Sequence, residues 1–103
     1  MASQLRFNRL VVLDLQASTD WYDNISIPLG NRFRKAINSS FDEIEHSPRA
    51  FPLVRPDRQV RFKRVSRFPY LVLYRVEEAT VYVLGVAHSS SDLTPWLERD
   101  EKF

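Results

Sequence analysis

Between Leu29 and Ile44 the apolar residues Leu29, Phe33, Ile37, Phe41 and Ile44 return every three or four positions, with charged and polar residues in the gaps. That period puts all five on one face of an α-helix. The helix must stop before Pro48, because the residue preceding a proline is pushed out of the α region. Pro28, in "ISIPLGN", suits the first turn of this helix, where its fixed φ and missing N–H cost nothing. Beyond the connector "RAFPLVRPDR" the period changes. Three strand candidates follow, "QVRFKRV", "PYLVLYRV" and "TVYVLGVAH", the last two joined tightly through the acidic "EEAT". A helix with one apolar face, followed by strands, buries that face against the sheet those strands make.

Upstream, "LRFNRLVVLDL" alternates as a strand that is mostly buried by its end, and Asp14 then caps a short helix in "DLQASTDWYDN". Leu15, Ala17, Trp21 and Tyr22 have spacings that share a broad face of that helix. The expected fold is α+β in the order β-α-α-β-β-β, two N-terminal amphipathic helices on a small antiparallel sheet, forming one domain over residues 1–103.

Several function classes are excluded by composition. No apolar run approaches the roughly 20 residues of a membrane span, and "MASQLRFNRL" lacks an apolar stretch with a small-residue cleavage site, so a cytoplasmic protein with no membrane role is expected. Cysteine is absent, which removes disulfides, thiolate metal sites and a cysteine nucleophile. His46 and His88 are the only imidazoles, and neither a metal nor a cofactor is expected. Gly30 and Gly85, the only glycines, stand too far apart for a phosphate loop, and no serine sits in a glycine-flanked elbow.

Charge is uneven along the chain. Arg49, Arg55, Arg58, Arg61, Lys63, Arg64, Arg67 and Arg75 face the single acid Asp57, so eight cations less one acid leave +7 between residues 49 and 75 of a chain whose total is +2. Such a segment fits a surface that meets phosphates or an acidic protein, with a solvated strand face as the alternative. Arg61 and Lys63, two apart, share one strand face and Val60 and Phe62 the other. Tyr70, Val72, Tyr74 and Val76 alternate with Leu71 and Leu73, so this strand is apolar on both sides and its tyrosines are read as core. His46 lies near a helix end, where a cation is favourable.

The ordered pieces "DWYDN", "LGNRF", "SPRAFP", "RFPYLVLYRV" and "VLGVAH", with Trp96 eight residues after His88, resemble the RelE/ParE superfamily, the toxins of bacterial type II toxin-antitoxin modules, of ParE-like or plasmid-stabilisation type. The resemblance implies two helices on a small antiparallel sheet, and a protein that arrests growth when a cognate antitoxin is lost. ParE-like members poison DNA gyrase by binding. Ribonuclease members cut ribosome-bound mRNA without metal, which requires a base, positive charge at the scissile phosphate and an acid.

Under the ribonuclease reading Arg61, Lys63 and Arg67 hold RNA phosphates and His88 is the catalytic candidate; under the gyrase reading the three cations and Trp96 are target-binding residues. In relatives with this C-terminal pattern a basic pair follows the histidine. Here Ser90 and Ser91 stand there, Asp92 keeps the acid and Leu93 replaces a proline. Without those cations a structural role for His88 is preferred, with Trp96 folding the tail onto the sheet, and a toxin of lost potency that still binds antitoxin is a third reading. Whether the chain is an enzyme is left open, as is a homodimer within the toxin-antitoxin complex.

Overall fold

The computed structural model describes residues 3–102. Strand β1 (Gln4–Phe7) leads through a turn, in which Asn8 is buried, into helix α1 (Val11–Ile25), which is followed by α2 (Ile27–His46). Strands β2 (Leu53–Arg55), β3 (Val60–Arg64), β4 (Tyr70–Glu77) and β5 (Thr80–His88) complete the sheet, and a short helix α3 (Thr94–Glu98) runs into a final 3₁₀ turn. The strand order is β1-β5-β4-β3-β2. The expected meander of β3, β4 and β5 is antiparallel throughout.

Four details depart from the sequence reading. The sheet is mixed, because β1 pairs parallel to β5, and the connection between these two neighbours holds α1, α2 and the strands β2 to β4. The first strand ends at Phe7 and α1 begins at Val11, so Asp14 lies inside the first turn and is not the cap; Asn8 organises the turn instead, its Oδ1 accepting from Leu10 N–H at 2.9 Å. The run "LVVL" is apolar on every side, and such a run carries no period to tell strand from helix. Ala17 and Trp21 point away from Leu15 and Tyr22, which alone of the four pack on the core. Finally, the proline-containing connector holds β2, antiparallel to β3 with an irregular register, and a single 3₁₀ turn.

Ser26 serves both helices at their junction. Its N–H bonds Tyr22 C=O and its Oγ accepts from Leu29 N–H at 3.1 Å, so one residue ends α1 and caps α2. Arg34 clamps Asp23 with both terminal nitrogens across the hairpin. Gly30 has no room for a side chain, because a Cβ there would collide with the Asp23 carboxylate.

Phe33, Ile37 and Ile44 of α2 meet Val72, Tyr74, Val76, Val81, Val83 and Val86 of β4 and β5 in the main core. Val60, Leu73 and Leu84 face the other way and are covered by Leu93, Trp96 and Leu97 of the C-terminal segment. The central strands are therefore buried on both faces, as their lack of polar alternation indicates.

Tyr74 is fully buried and its hydroxyl donates to Pro48 C=O at 2.7 Å. Burial pushes its phenol from 10.0 up to about 12, opposed by nearby Arg61. Because the folded-state pKa is raised, this contribution to stability is complete below the unfolded value and is lost as pH climbs through the folded one. Tyr74→Phe should cost about 1 kcal/mol at neutral pH through the orphaned carbonyl. Between about pH 10 and 12, wild type should lose roughly 2–3 kcal/mol more than Tyr74→Phe in denaturant titrations.

Candidate functional site

Strand β1 stops pairing at Phe7 opposite Val83, which leaves the far end of β5 with a free edge. An irregularity in the β4–β5 register follows, Leu73 facing Gly85 while Tyr74 faces Val83. At this edge the Asp14 carboxylate replaces the missing strand: Oδ2 accepts from Val86 N–H at 3.0 Å, from Trp96 Nε1–H at 3.2 Å and from Arg99 Nη1 at 2.7 Å. Oδ1 takes a second bond from Arg99 Nη2 at 3.1 Å, and Arg99 Nη1 also donates to Leu84 C=O. A single carboxylate thus fastens α1, β5 and the C-terminal segment together.

The indole of Trp96 lies across Gly85. A Cβ there would stand 2.4 Å from Trp96 Cδ1, 2.6 Å from Arg99 Nη1 and 2.7 Å from Asp14 Oδ2. Next to this latch opens a cleft of about 300 Å³, lined by Ala17, Ser18 and Trp21 of α1, Tyr70 of β4, and His88 and Trp96. Two predicted site residues, His88 and Trp96, are thereby brought together.

His88 is exposed, with its ring edge-on to Tyr70 at 5.2 Å. Its Nδ1 accepts from Ser90 N–H at 3.1 Å, which in the neutral ring places the proton on Nε2, and it lies 2.7 Å from Ser90 Oγ. Ser90 is thus spent on fixing the imidazole.

Arg61, Lys63 and Arg67 lie elsewhere. Arg61 and Lys63 share a strand face as expected, and it is the face turned toward α2: Arg61 Nη1 donates to Phe51 C=O at 2.7 Å, and Lys63 Nζ is 3.3 Å from Glu43 and above the Phe51 ring. Both are half-buried, while Val60 and Phe62 pack under the C-terminal segment, so neither face of β3 is an open basic strip. Arg67 is exposed in the β3–β4 turn with φ 69°, in the left-handed region.

Residues 5–93 match the family model described as the ParE toxin of the type II toxin-antitoxin system parDE. The chain belongs to the ParE toxin family. It is accordingly a ParE/RelE-type toxin of a toxin-antitoxin system. Among solved structures it resembles the chromosomal ParDE system from P. aeruginosa (20% identity, TM-score 0.69, covering 84% of this chain and 96% of that one). The free E. coli toxin RelE in a mutant form is comparable (19% identity, TM-score 0.68, 99% and 97% covered). So is the RelBE2 toxin-antitoxin complex from Mycobacterium tuberculosis (23% identity, TM-score 0.59, 85% and 99% covered). A comparison with curated proteins gave no significant match.

Two further surfaces of this ParE-family toxin were not anticipated from its sequence. Leu13, Ala17, Trp21 and Ile25, spaced by four along α1, form an exposed ridge beside the cleft, with Leu13 56%, Trp21 64% and Ile25 61% accessible. On the other side of the helical hairpin, Arg32 and Lys35 of α2 and Arg67 of the β3–β4 turn surround a groove of about 620 Å³. The strict four-residue spacing was a visible signal for the ridge. The groove joins two distant segments and had none.

Proposed function

We propose that this toxin arrests growth by binding an essential protein target, with DNA gyrase the leading one, and that the α1 ridge makes the contact. The observation that carries the reading is the ridge itself: a tryptophan and two large aliphatic side chains exposed to water along one line of α1. Apolar side chains grouped in this way mark protein-binding surfaces, and tryptophan is the commonest energetic anchor in them. Support also comes from the cations expected to hold RNA, since Arg61 and Lys63 are engaged by Phe51 C=O and Glu43. On this reading His88 and Trp96 shape the cleft wall beside the ridge, and the partner that restrains the toxin is its cognate antitoxin.

A metal-independent, ribosome-dependent mRNA endoribonuclease is the second reading, favoured by His88, whose Nδ1 is held by Ser90 N–H at the cleft lip. The test is induction in a bacterial host without antitoxin, followed by pulse labelling. Thymidine incorporation is expected to fall before methionine incorporation, and Trp21→Ala with Leu13→Ala should abolish the effect while leaving the melting temperature within a few degrees of wild type. Methionine falling first would transfer the assignment to the ribonuclease reading. Neither falling, with growth continuing, would leave a toxin of lost potency.

A further inference from the structure

The cleft beside the α1 ridge is walled by aromatic rings and bordered by carboxylates that have no cation. Trp21, Tyr70 and Trp96 form its walls. Arg99 already lies over the Trp96 ring at 5.6 Å, so one guanidinium is stacked on an indole here, and Trp21 and Tyr70 are the rings left for a ligand. Trp21 makes no ring contact within the described chain and is 64% accessible. Tyr70 is fixed edge-on against Phe33 and His88, each with ring centroids 5.2 Å away. An aromatic face carries partial negative charge, so rings presented in this way attract a cation.

The charges around the cleft add a separate indication. Helix α1 carries three acids and no base. Asp14 is taken by Arg99 and Asp23 by Arg34. Asp20, three residues after Ala17 of the cleft lining and so its neighbour on the helix surface, has no hydrogen bond or ion pair with any described residue. Arg34 feels its charge but is already bonded to Asp23. Asp92, next to Ser91 of the cleft lining, accepts from Thr94 N–H at 3.0 Å and from Thr94 Oγ1 at 2.8 Å through Oδ1 alone, bonds that hold its carboxyl below the usual carboxylate range. Its second oxygen has no partner among the described residues. This negative charge is local, because the chain as a whole is +2 and offers a basic partner no attraction at long range.

We infer that this cleft receives an arginine side chain of the protein target, an inference that rests on the protein-target reading above and names the chemistry of the surface it meets. The guanidinium stacks on Trp21 and Tyr70, Asp20 and Asp92 meet its charge, and apolar residues around the arginine lie along Leu13 and Ile25 of the ridge. A space of about 300 Å³ admits one long side chain and not a folded segment. Arginine fits better than lysine, because its planar, weakly hydrated head stacks on aromatic faces where an ammonium stays in water. RNA fits less well: its bases could stack on the same rings, but its phosphates would be brought against two unpaired carboxylates.

Fluorescence anisotropy with a labelled helical dodecapeptide, leucines on one face and a single arginine among them, tests this against the same peptide with citrulline, the uncharged isostere, at that position and against oligouridine of similar length. Wild type should bind the arginine peptide about tenfold more tightly than the citrulline one. Trp21→Leu keeps the ridge apolar and removes the ring, and should cut that preference about three- to tenfold; Asp20→Asn with Asp92→Asn should do the same. Both variants should melt within a few degrees of wild type, since Trp21 and Asp20 are exposed and Asp92→Asn keeps an oxygen for Thr94 N–H. Equal binding of the two peptides by wild type, or a preference that survives either variant, overturns the proposal. Tighter binding of oligouridine, lost in Trp21→Leu, overturns it in favour of RNA. Pulse labelling with wild type keeps the two readings apart: thymidine incorporation failing first without an arginine preference sinks only the cleft, and an arginine preference with methionine incorporation failing first sinks only the gyrase-type target.

Discussion

Asp14→Ala is expected to cost about 3–5 kcal/mol, the range for removing one partner of a largely buried ion pair, which for a chain of this size lowers the melting temperature by about 15–25 °C. The substitution removes more than one attraction. Asp14 and Arg99 side chains are only 10% and 16% exposed, so the guanidinium is left nearly dry and uncompensated. At the same time Val86 N–H and Trp96 Nε1–H lose their acceptor at a sheet edge that has no neighbouring strand. Asp14→Asn keeps one oxygen for the Val86 amide and should cost roughly half as much. Replacing Asp14 and Arg99 together by leucine should be less damaging than Asp14→Ala alone, because no unpaired charge then remains. Thermal melts of the four proteins decide it, and a double variant at least as unstable as Asp14→Ala would mean that the pair is not the unit.

Asp14 also shows where the sequence is legible and where it is not. The carboxylate stands out in "LVVLDLQA", and its local environment suggested a helix cap. Its partners lie 72 to 85 positions away, and no local rule connects Asp14 with Arg99. Helix α2 and strands β3 to β5 could be read because each is bounded by turn residues and keeps its own period over many positions. The boundary between β1 and α1 could not, since four consecutive apolar residues satisfy both periods.

The basic segment illustrates a different limit. Its sum of +7 is real, but folding divides it among separate partners. Arg58 and Arg75 both bind the buried carboxylate of Asp100 through their Nε atoms, Arg55 pairs with Asp57, and Arg49 donates to Glu78 C=O. With Arg61 and Lys63 also engaged, Arg64 and Arg67 are the members left without a bonded side-chain partner among the described residues. The positive surface that results is built from Arg67 and two cations of α2, a helix whose three cations and three acids cancel. A run of charge in the sequence predicts a charged surface only where the acids that balance it are remote in space as well as in the chain, and here the C-terminal acids fold back onto it.

Gly85→Ala should be nearly as damaging as Asp14→Ala, at about 3 kcal/mol or more, for a reason unrelated to backbone freedom, since no glycine of the described chain has positive φ. The added methyl would enter the space of the Trp96 indole and come within contact range of both members of the Asp14–Arg99 pair. Overpacking alone costs about 1–3 kcal/mol. Relief by moving Trp96 breaks the indole bond to Asp14 and uncovers Val60, Leu73 and Leu84, so the C-terminal segment should detach from the sheet. Trp96 reports this directly. Because Trp21 is exposed and emits like a solvated indole, the wild-type spectrum should carry a blue-shifted component from Trp96 that Gly85→Ala abolishes, an effect made clearer in a Trp21→Phe background. An unchanged spectrum with an unchanged melting temperature would mean that β5 shifts to admit the methyl, and that the close approach of Trp96 to the strand is not what holds the segment down.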